Sequence, residues 1–299
     1  LKEMLGFRDV QSGNWVLKDV NSAKYHVEQT AQAMSDLGDV LGIDTGMLGL
    51  GGRLAMAFGA RGTGSAGWKE GAARAHYEST HRVINLTKMG GGGSLGHEWF
   101  HAIDDMLSEL VTQQVSEKTR NFVTVNPELL PSGRIRDAVI ELRRAMFTGT
   151  RRTPERIKLV PKKDKDRAKY NIDSMSPNSI AKLIKSAGNM TDAVLAIDRY
   201  FAGVTNPRAL KNAKGWRVLA AAYYADEDAA QVDVLTGPPT SNFAAEAAFL
   251  DGGAIGKYWS RHHEMAARAF QSYLEDTLAS QIRKNDYLSA YADNQYHID

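Results

Sequence analysis

The chain has 299 residues, of which 43% are hydrophobic and 24% are charged, a composition ordinary for a globular protein with a sizeable core. Its formal net charge of +2 gives no general argument for a nucleic-acid or membrane partner, and no apolar run approaches the roughly 20 residues that a membrane span needs. It contains no cysteine, so disulfides, iron–sulfur clusters and thiolate zinc sites are excluded, and any metal must take nitrogen and oxygen ligands.

Residues 1–4 (Leu-Lys-Glu-Met) do not begin with a methionine and contain no signal-like hydrophobic stretch. We therefore expect the chain to be a piece of a larger polypeptide, or a processed one. We do not expect it to be secreted through a signal peptide of its own.

The first ninety residues alternate between patterned segments and glycine-rich breaks. Residues 19–41 carry apolar side chains at three- and four-residue spacing, which predicts a helix. The apolar run 54–58 and the alternating run 82–87 predict two short strands. Between them, residues 59–71 are rich in glycine and predict an exposed loop, which we interpret as a lid.

The most informative segment follows, because residues 96–101 read Gly-His-Glu-Trp-Phe-His. On a helix this spacing places two imidazoles one turn apart on one face, and the glutamate between them can reach a water beside a metal that both bind. On a helical wheel of residues 97–110, the polar side chains fill one arc and the apolar side chains fill the opposite arc. The pattern favours a metal-binding helix, N-capped by Ser94, over an ordinary solvated helix face.

A peptidase zinc site of this type needs three protein ligands and an open position. We expect His97 and His101 to be two of the ligands, and Glu98 to act as general base and then as general acid in hydrolysis. A strand, a glycine turn and a metal-binding helix form a sensible order for a peptidase, because an edge strand beside the metal can pair with an extended peptide. We assign that role to the strand around Val83–Leu86.

The residues alone leave the third ligand open. Glu264, in a later predicted helix, is the better candidate, and Arg268 one turn on could steady its carboxylate or a catalytic intermediate. The same helix face carries Gln271 and Glu275, which is also typical of an exposed surface. Asp104 lies on the face of the histidines and is expected to orient one of them from behind. Four other histidines are weaker candidates for the third ligand: His76, His81, His262 and His263. Three tyrosines could donate a hydrogen bond to an oxyanion, and nothing in the sequence ranks them: Tyr77, Tyr258 and Tyr273.

The middle of the chain differs in character. The basic segment 134–169 has an excess of lysine and arginine over acidic residues. Such a surface can contact nucleic acid or another polyanion, although a solvated insertion between helices is the favoured interpretation. Residues 177–225, 241–250 and 264–278 then predict helices, with a break at residues 237–239 (Gly-Pro-Pro).

Several segments occur in an order that resembles a known family: 58–62, 75–78, 83–88, 93–104 and 264–270. They are similar to the first large-polyvalent-protein-associated domain, which is found in very long multidomain proteins of phages and other mobile elements. The resemblance covers residues 5–110 and 240–290 and leaves the helical, basic middle as an insertion. Gly96 stands where alanine is expected, a departure that leaves the metal ligands intact.

The resemblance implies a zincin-like module in a protein that is delivered with invading DNA or encoded beside it. The expected location is therefore the phage virion, the host cytoplasm after delivery, or both. The resemblance also supports Glu264 as the third ligand. It implies site roles for His76, Glu78 and Arg61, because their segments match, and His76 joins the expected catalytic residues.

We therefore expect an α+β fold that is zincin-like and mostly helical, with a small mixed sheet next to the metal helix and a helical insertion. Residues 1–110 are expected to contain the sheet and the metal helix. Residues 111–240 are expected to form the helical, partly basic insertion, and residues 241–299 to supply the C-terminal helices that complete the metal site.

The expected function is a zinc-dependent peptidase that cleaves its own parent polyprotein or a host protein. Zn²⁺ is the expected cofactor, with Glu98, Arg268 and His76 in catalysis and a polypeptide as substrate. No membrane partner is expected. Two alternatives stay open: a non-catalytic zincin-like module used for structure or docking within a virion, and a nucleic-acid-binding module that uses the basic segment 134–169.

Overall fold

The computed structural model describes residues 1–60, 75–87, 92–114, 121–159, 166, 169, 172–173, 179–252 and 256–290. The chain divides into two compact units: Leu1–Ala145 together with His262–Asp299 form the first, and Met146–Arg261 form the second. The ranges expected from the sequence, 1–110, 111–240 and 241–299, stay predictions.

The described residues form helices and short strands in a mixed α+β arrangement, largely helical with a small mixed sheet, as the sequence predicted. The helices are α1 (Lys2–Leu5), α2 (Val20–Leu41), α3 (Leu95–Thr112), α4 (Arg134–Phe147), α5 (Ser179–Ser186), α6 (Met190–Tyr200), α7 (Pro207–Tyr224), α8 (Asn242–Leu250) and α9 (His262–Ser280). The strands are β1 (Val10–Ser12), β2 (Ala55–Phe58), β3 (Ala75–Glu78), β4 (Val83–Leu86), β5 (Arg151–Lys158) and β6 (Gln231–Thr240). Among the described helices, none has the length and apolarity that crossing a membrane requires.

The sheet of the first unit has the strand order β1-β2-β4-β3. β1, β2 and β4 are parallel, while β3 runs antiparallel to β4 with His76 opposite Asn85. β2 and β4 coincide with the two strands predicted from the sequence. The prediction that Val83–Leu86 is the edge strand is wrong, because β4 lies between β2 and β3 and all four of its side chains are buried. The edge strand that contacts α3 is β3.

The apolar face of α3 packs into the core of the first unit. Trp99, Ala102 and Met106 are at most 4% exposed and belong to one apolar cluster with Ile84 and Leu86 of β4. α2 and α9 contribute side chains to the same cluster. The predicted metal-binding helix is therefore fixed against the sheet by its apolar face, and its polar face meets α9.

In the second unit, helices α5 to α8 accompany the antiparallel pair β5–β6. The helices agree with the prediction for residues 177–225 and 241–250. The strand pair was not predicted, because β5 is rich in charged residues and β6 runs through the Gly-Pro-Pro sequence at 237–239, which indicated a break. Proline is compatible with an edge strand, and both strands of an isolated pair are edges.

Candidate metal centre

The two histidines of α3 lie side by side. Leu95 begins the helix, and Ser94 occupies the N-cap position, although its side chain makes no capping hydrogen bond. The four-residue spacing brings Nε2 of His97 and Nε2 of His101 to 3.0 Å from one another. Both imidazoles therefore present a ring nitrogen to the same small volume, as the sequence predicted.

Glu264, near the start of α9, faces this pair. Its Oε2 lies 3.5 Å from Nε2 of His97, and its Oε1 lies 3.6 Å from Nε2 of His101. These three residues form a group whose ligand atoms all lie within 4.8 Å of one another. Long-range packing of α9 against α3 thus brings together residues that are far apart in the sequence.

The geometry of this donor set fits a tetrahedral metal. Ligands held at 2.0–2.1 Å around one tetrahedral ion are separated from each other by about 3.3 Å. The two histidine nitrogens are 3.0 Å apart, and they lie 3.5 and 3.6 Å from the two different oxygens of Glu264, distances on both sides of that value. Two imidazoles and a carboxylate, all largely withdrawn from solvent, can therefore hold one divalent cation between them.

The pKa values of two residues in the centre indicate that its surroundings favour positive charge between the donor atoms. Although burial opposes it, hydrogen bonding to Glu264 and the nearby carboxylates of Glu98 and Asp104 raise the pKa of His101 above its ordinary value. Burial also works against ionisation of Glu264, but His101 and His97 lower the pKa of its carboxyl far below the ordinary value. Either a proton or a metal cation can balance the negative charge of these carboxylates.

Arg268 steadies the proposed ligand carboxylate. Its Nη2 donates a hydrogen bond to Oε2 of Glu264 over 3.0 Å, one helical turn away, and the arginine is only 4% exposed. Of the two functions considered for Arg268 from the sequence, this contact fits the one in which it orients Glu264.

Glu98 lies between α3 and the edge strand. Its Oε2 accepts a hydrogen bond from the backbone N–H of Tyr77 over 2.6 Å, and the residue is 7% exposed. The N–H of Tyr77 thus points away from β4 and toward the metal helix. The carboxylate is therefore held at the edge of β3, where its charge acts on the imidazole of His101.

Asp104 makes contacts that the sequence did not predict. Its carboxylate accepts hydrogen bonds from the N–H and the hydroxyl of Thr124, over 2.8 and 2.5 Å. Burial raises the pKa of Asp104 to about 6, against the opposing effect of these hydrogen bonds. Nδ1 of His101 has no hydrogen-bond partner among the described residues. The orienting role expected of Asp104 toward a histidine therefore stays a prediction.

An aromatic pair that sequence reasoning missed lies beside the centre. The rings of Phe122 and His263 stack with centroids 4.5 Å apart and planes 6° from parallel. The ring of His101 is 5.9 Å from Phe122 and 5.6 Å from His263. Nε2 of His263 is 3.9 Å from Oε1 of Glu264. No sequence signal marked Phe122, because the turn that carries it is placed by contacts with α3.

The other residues that the resemblance implied lie elsewhere. The Tyr77 hydroxyl bonds Asp105 of α3, so strand alternation turns His76 and Glu78 to the opposite face of the sheet. Oε1 of Glu78 contacts Nδ1 of His81 over 2.5 Å. The structure therefore does not bring His76 to the metal centre, and its catalytic role stays a prediction. Arg61 and nearly all of the expected lid 59–71 lie outside the described residues.

Several arginines of the basic segment 134–169 are paired with acids. Arg151 contacts Glu246 over 3.3 Å, and Arg156 contacts Asp233 over 2.8 Å. These ion pairs neutralise part of the positive charge through which the segment would contact a polyanion. Contact with a polyanion stays a prediction.

Comparison with known proteins finds one match. The family model of the large polyvalent protein-associated domain 1 matches residues 250–298. No curated protein and no solved structure matches the chain. The match contains α9, with Glu264 and Arg268, and confirms the resemblance there, while the similar segments between residues 5 and 110 lie outside it. Residues 250–298 are thus similar to a domain that is associated with large polyvalent proteins.

Proposed function

We propose that this chain is a zinc-dependent peptidase domain of a large polyvalent protein, with a zincin-like fold. The observation that carries the proposal is the convergence of His97, His101 and Glu264 on one small volume. The carboxylate of Glu98 is near enough to His101 to help raise the pKa of its imidazole. A set of two imidazoles and one carboxylate favours zinc among the common divalent ions.

Each residue of the centre has a defined chemical task. Zinc, when bound, supplies a Lewis acid that polarises a carbonyl and makes water more acidic. Glu98, held by the N–H of Tyr77, accepts a proton from the attacking water and returns one to the leaving amine. Arg268 keeps the carboxylate of Glu264 in one orientation while the reaction proceeds.

The position of β3 supports an extended polypeptide as the substrate. β3 is the edge strand of the described sheet, and the edge that faces away from β4 is the one at which Glu98 lies. A substrate segment can add to this edge through backbone hydrogen bonds, which places its peptide bonds along the metal centre. The parent polypeptide and host proteins met after delivery are the proposed substrates, in the virion or the host cytoplasm.

Replacing Glu98 by glutamine tests the proposal. A neutral amide cannot take a proton from water, so Glu98→Gln should keep one zinc per chain and lose about 10²–10⁴-fold in hydrolysis rate. The measurement pairs zinc content with cleavage of fluorescently labelled, unfolded casein and of a mixed peptide library read by mass spectrometry.

A matched control is Glu275→Gln, on the same helix as Glu264 but bonded to Ser289 rather than to the centre. It should retain the activity of the unmodified chain. Undiminished hydrolysis by zinc-loaded Glu98→Gln would overturn the mechanism. If the unmodified chain binds zinc but cleaves none of these substrates, the non-catalytic module becomes the better interpretation.

A further inference from the structure

We propose that Gln271 is a positioning residue of the metal centre, which holds His97 with Nε2 directed at the metal. The inference rests on the proposed function, since it concerns the same site. Gln271 lies on α9 and is 8% exposed. The sequence offered it only as one of several polar residues on a helix face that resembled a solvent-exposed surface.

Both ends of the Gln271 side chain are engaged. Oε1 lies 3.0 Å from Nδ1 of His97, and Nε2 donates to the carbonyl oxygen of Gly93 over 3.3 Å. The contact with Gly93 requires the amide nitrogen at that end, which leaves the amide oxygen for the histidine. An amide oxygen only accepts hydrogen bonds, so Nδ1 of His97 carries the proton and Nε2 presents its lone pair to the centre.

The spacing of residues on α9 supports the assignment. Glu264, Arg268 and Gln271 follow each other at four and three residues, so they share one face of the helix. Glu264 faces the metal volume, Arg268 holds the carboxylate of Glu264, and Gln271 holds the imidazole of His97. One helix face therefore supplies a ligand and the support for ligands on both helices.

The choice of an amide has an electrostatic consequence. A carboxylate in the place of Gln271 would add negative charge behind His97 and strengthen the imidazole as a ligand. The neutral amide orients the ring without that charge. Replacement by glutamate keeps the acceptor for His97 but loses the donor to Gly93, so its zinc affinity should exceed that of a side chain that offers neither.

The test measures the zinc dissociation constant of the full chain by competition with a chromophoric chelator. Gln271→Met keeps the length of the side chain but offers no amide, and should weaken zinc binding about 10- to 100-fold. Gln271→Glu keeps the acceptor for His97 and should bind zinc more tightly than Gln271→Met. The control is Gln281→Met, an exposed glutamine just beyond α9, which should leave zinc affinity unchanged.

Two further readouts separate positioning from general destabilisation. The thermal unfolding midpoint of the metal-free protein shows whether a variant keeps its fold. The visible absorption of the Co²⁺-loaded protein, which reports ligand geometry, should change in Gln271→Met and persist in Gln271→Glu. If Gln271→Met does not fold, Gln271→Ala takes its place in the same comparison with Gln271→Glu.

Wild-type zinc affinity in Gln271→Met, or an affinity in Gln271→Glu no higher than in Gln271→Met, would overturn the inference while leaving the proposed zinc site in place. Absence of zinc binding by the unmodified chain would overturn the proposed function and this inference together.

Discussion

Glu264 and the two histidines of α3 form a largely buried group. Its net charge depends on whether a proton or a metal cation lies between the donor atoms. In the metal-free protein, the raised pKa of His101 and the lowered pKa of Glu264 favour an imidazolium beside a carboxylate. Zinc needs the neutral imidazole, so metal and proton compete for the same nitrogen. At the residue scale, the centre therefore couples metal binding to pH.

This competition predicts opposite pH dependences for the two forms. The metal-free protein should lose stability as the pH rises from 6.5, the ordinary pKa of histidine, through the raised pKa of His101. Glu264, whose pKa is lowered, stays ionised throughout that range and contributes no change. Asp104, whose pKa is raised to about 6, acts in the same direction as His101, but only at the low end of the range. The stabilisation by zinc should grow over the same range.

Thermal unfolding midpoints measured with zinc and with a chelator, between about pH 6 and 8, check this expectation. An increment from zinc that does not vary with pH would contradict it.

The sequence placed Asp104 on the histidine face of α3, but it did not indicate that Thr124 is the hydrogen-bond partner of its carboxylate. Its burial beside Thr124 predicts a structural role, in which it holds the turn that carries Phe122. Asp104→Ala and Thr124→Val should each lower the free energy of unfolding by about 1–3 kcal/mol, and the double variant should lose less than the sum.

Chemical denaturation of the single and double variants measures this coupling, and zinc titration of the same proteins separates the two roles. Zinc affinity should be preserved in both. A loss of zinc affinity confined to Asp104→Ala would favour the orienting role that the sequence suggested.

Among the secondary-structure elements, the polar face of α3 packs against the polar face of α9. The sequence correctly predicted the amphipathic α3, because its two arcs separate without exception between residues 97 and 110. The sequence could not show whether a polar helix face is buried against another helix or exposed to water. Glu264 and Gln271 therefore resembled surface residues, although both are at most 8% exposed.

The strand β3 was missed for a related reason. Its sequence, Ala-His-Tyr-Glu, is only four residues long, and its position depends on pairing with β4 and on the contact between Tyr77 and Glu98. Short edge strands of this kind are specified by tertiary contacts more than by intrinsic propensity.

Gly96 permits the close approach of α3 to α9. A Cβ atom at this position would lie 2.6 Å from Cδ1 of Leu274 and 3.3 Å from the carbonyl oxygen of Leu288. The N–H of Gly96 also donates to that carbonyl oxygen over 2.9 Å. Gly96→Ala should therefore destabilise the first unit and weaken zinc binding, because Leu274 and α9 must shift.

Gly215→Ala is the matched control, since Gly215 lies inside α7 and an added Cβ meets no atom within 4 Å. It should stabilise its helix by about 0.5–1 kcal/mol. Differential scanning calorimetry and zinc titration compare the two variants. Equal stabilisation by both would show that the α3–α9 contact tolerates a methyl group.

At the scale of the whole molecule, the long separation between His101 and Glu264 has a topological explanation. α3 and α9 belong to the same compact unit, and the chain between α4 and α9 forms a second unit with its own apolar core. The sequence predicted an insertion in this region. The pairing of β5 with β6 was not predicted, because it joins segments about eighty residues apart, one rich in charged residues and the other containing a Gly-Pro-Pro sequence.

The most direct test of the account is the zinc content of the purified chain, beside His101→Ala and Glu264→Ala. We expect about one zinc per unmodified chain, lost in both variants, since each variant removes one of three ligands. Elemental analysis after reconstitution and extensive dialysis gives the stoichiometry. Full zinc content in Glu264→Ala, or none in the unmodified chain, would contradict the account.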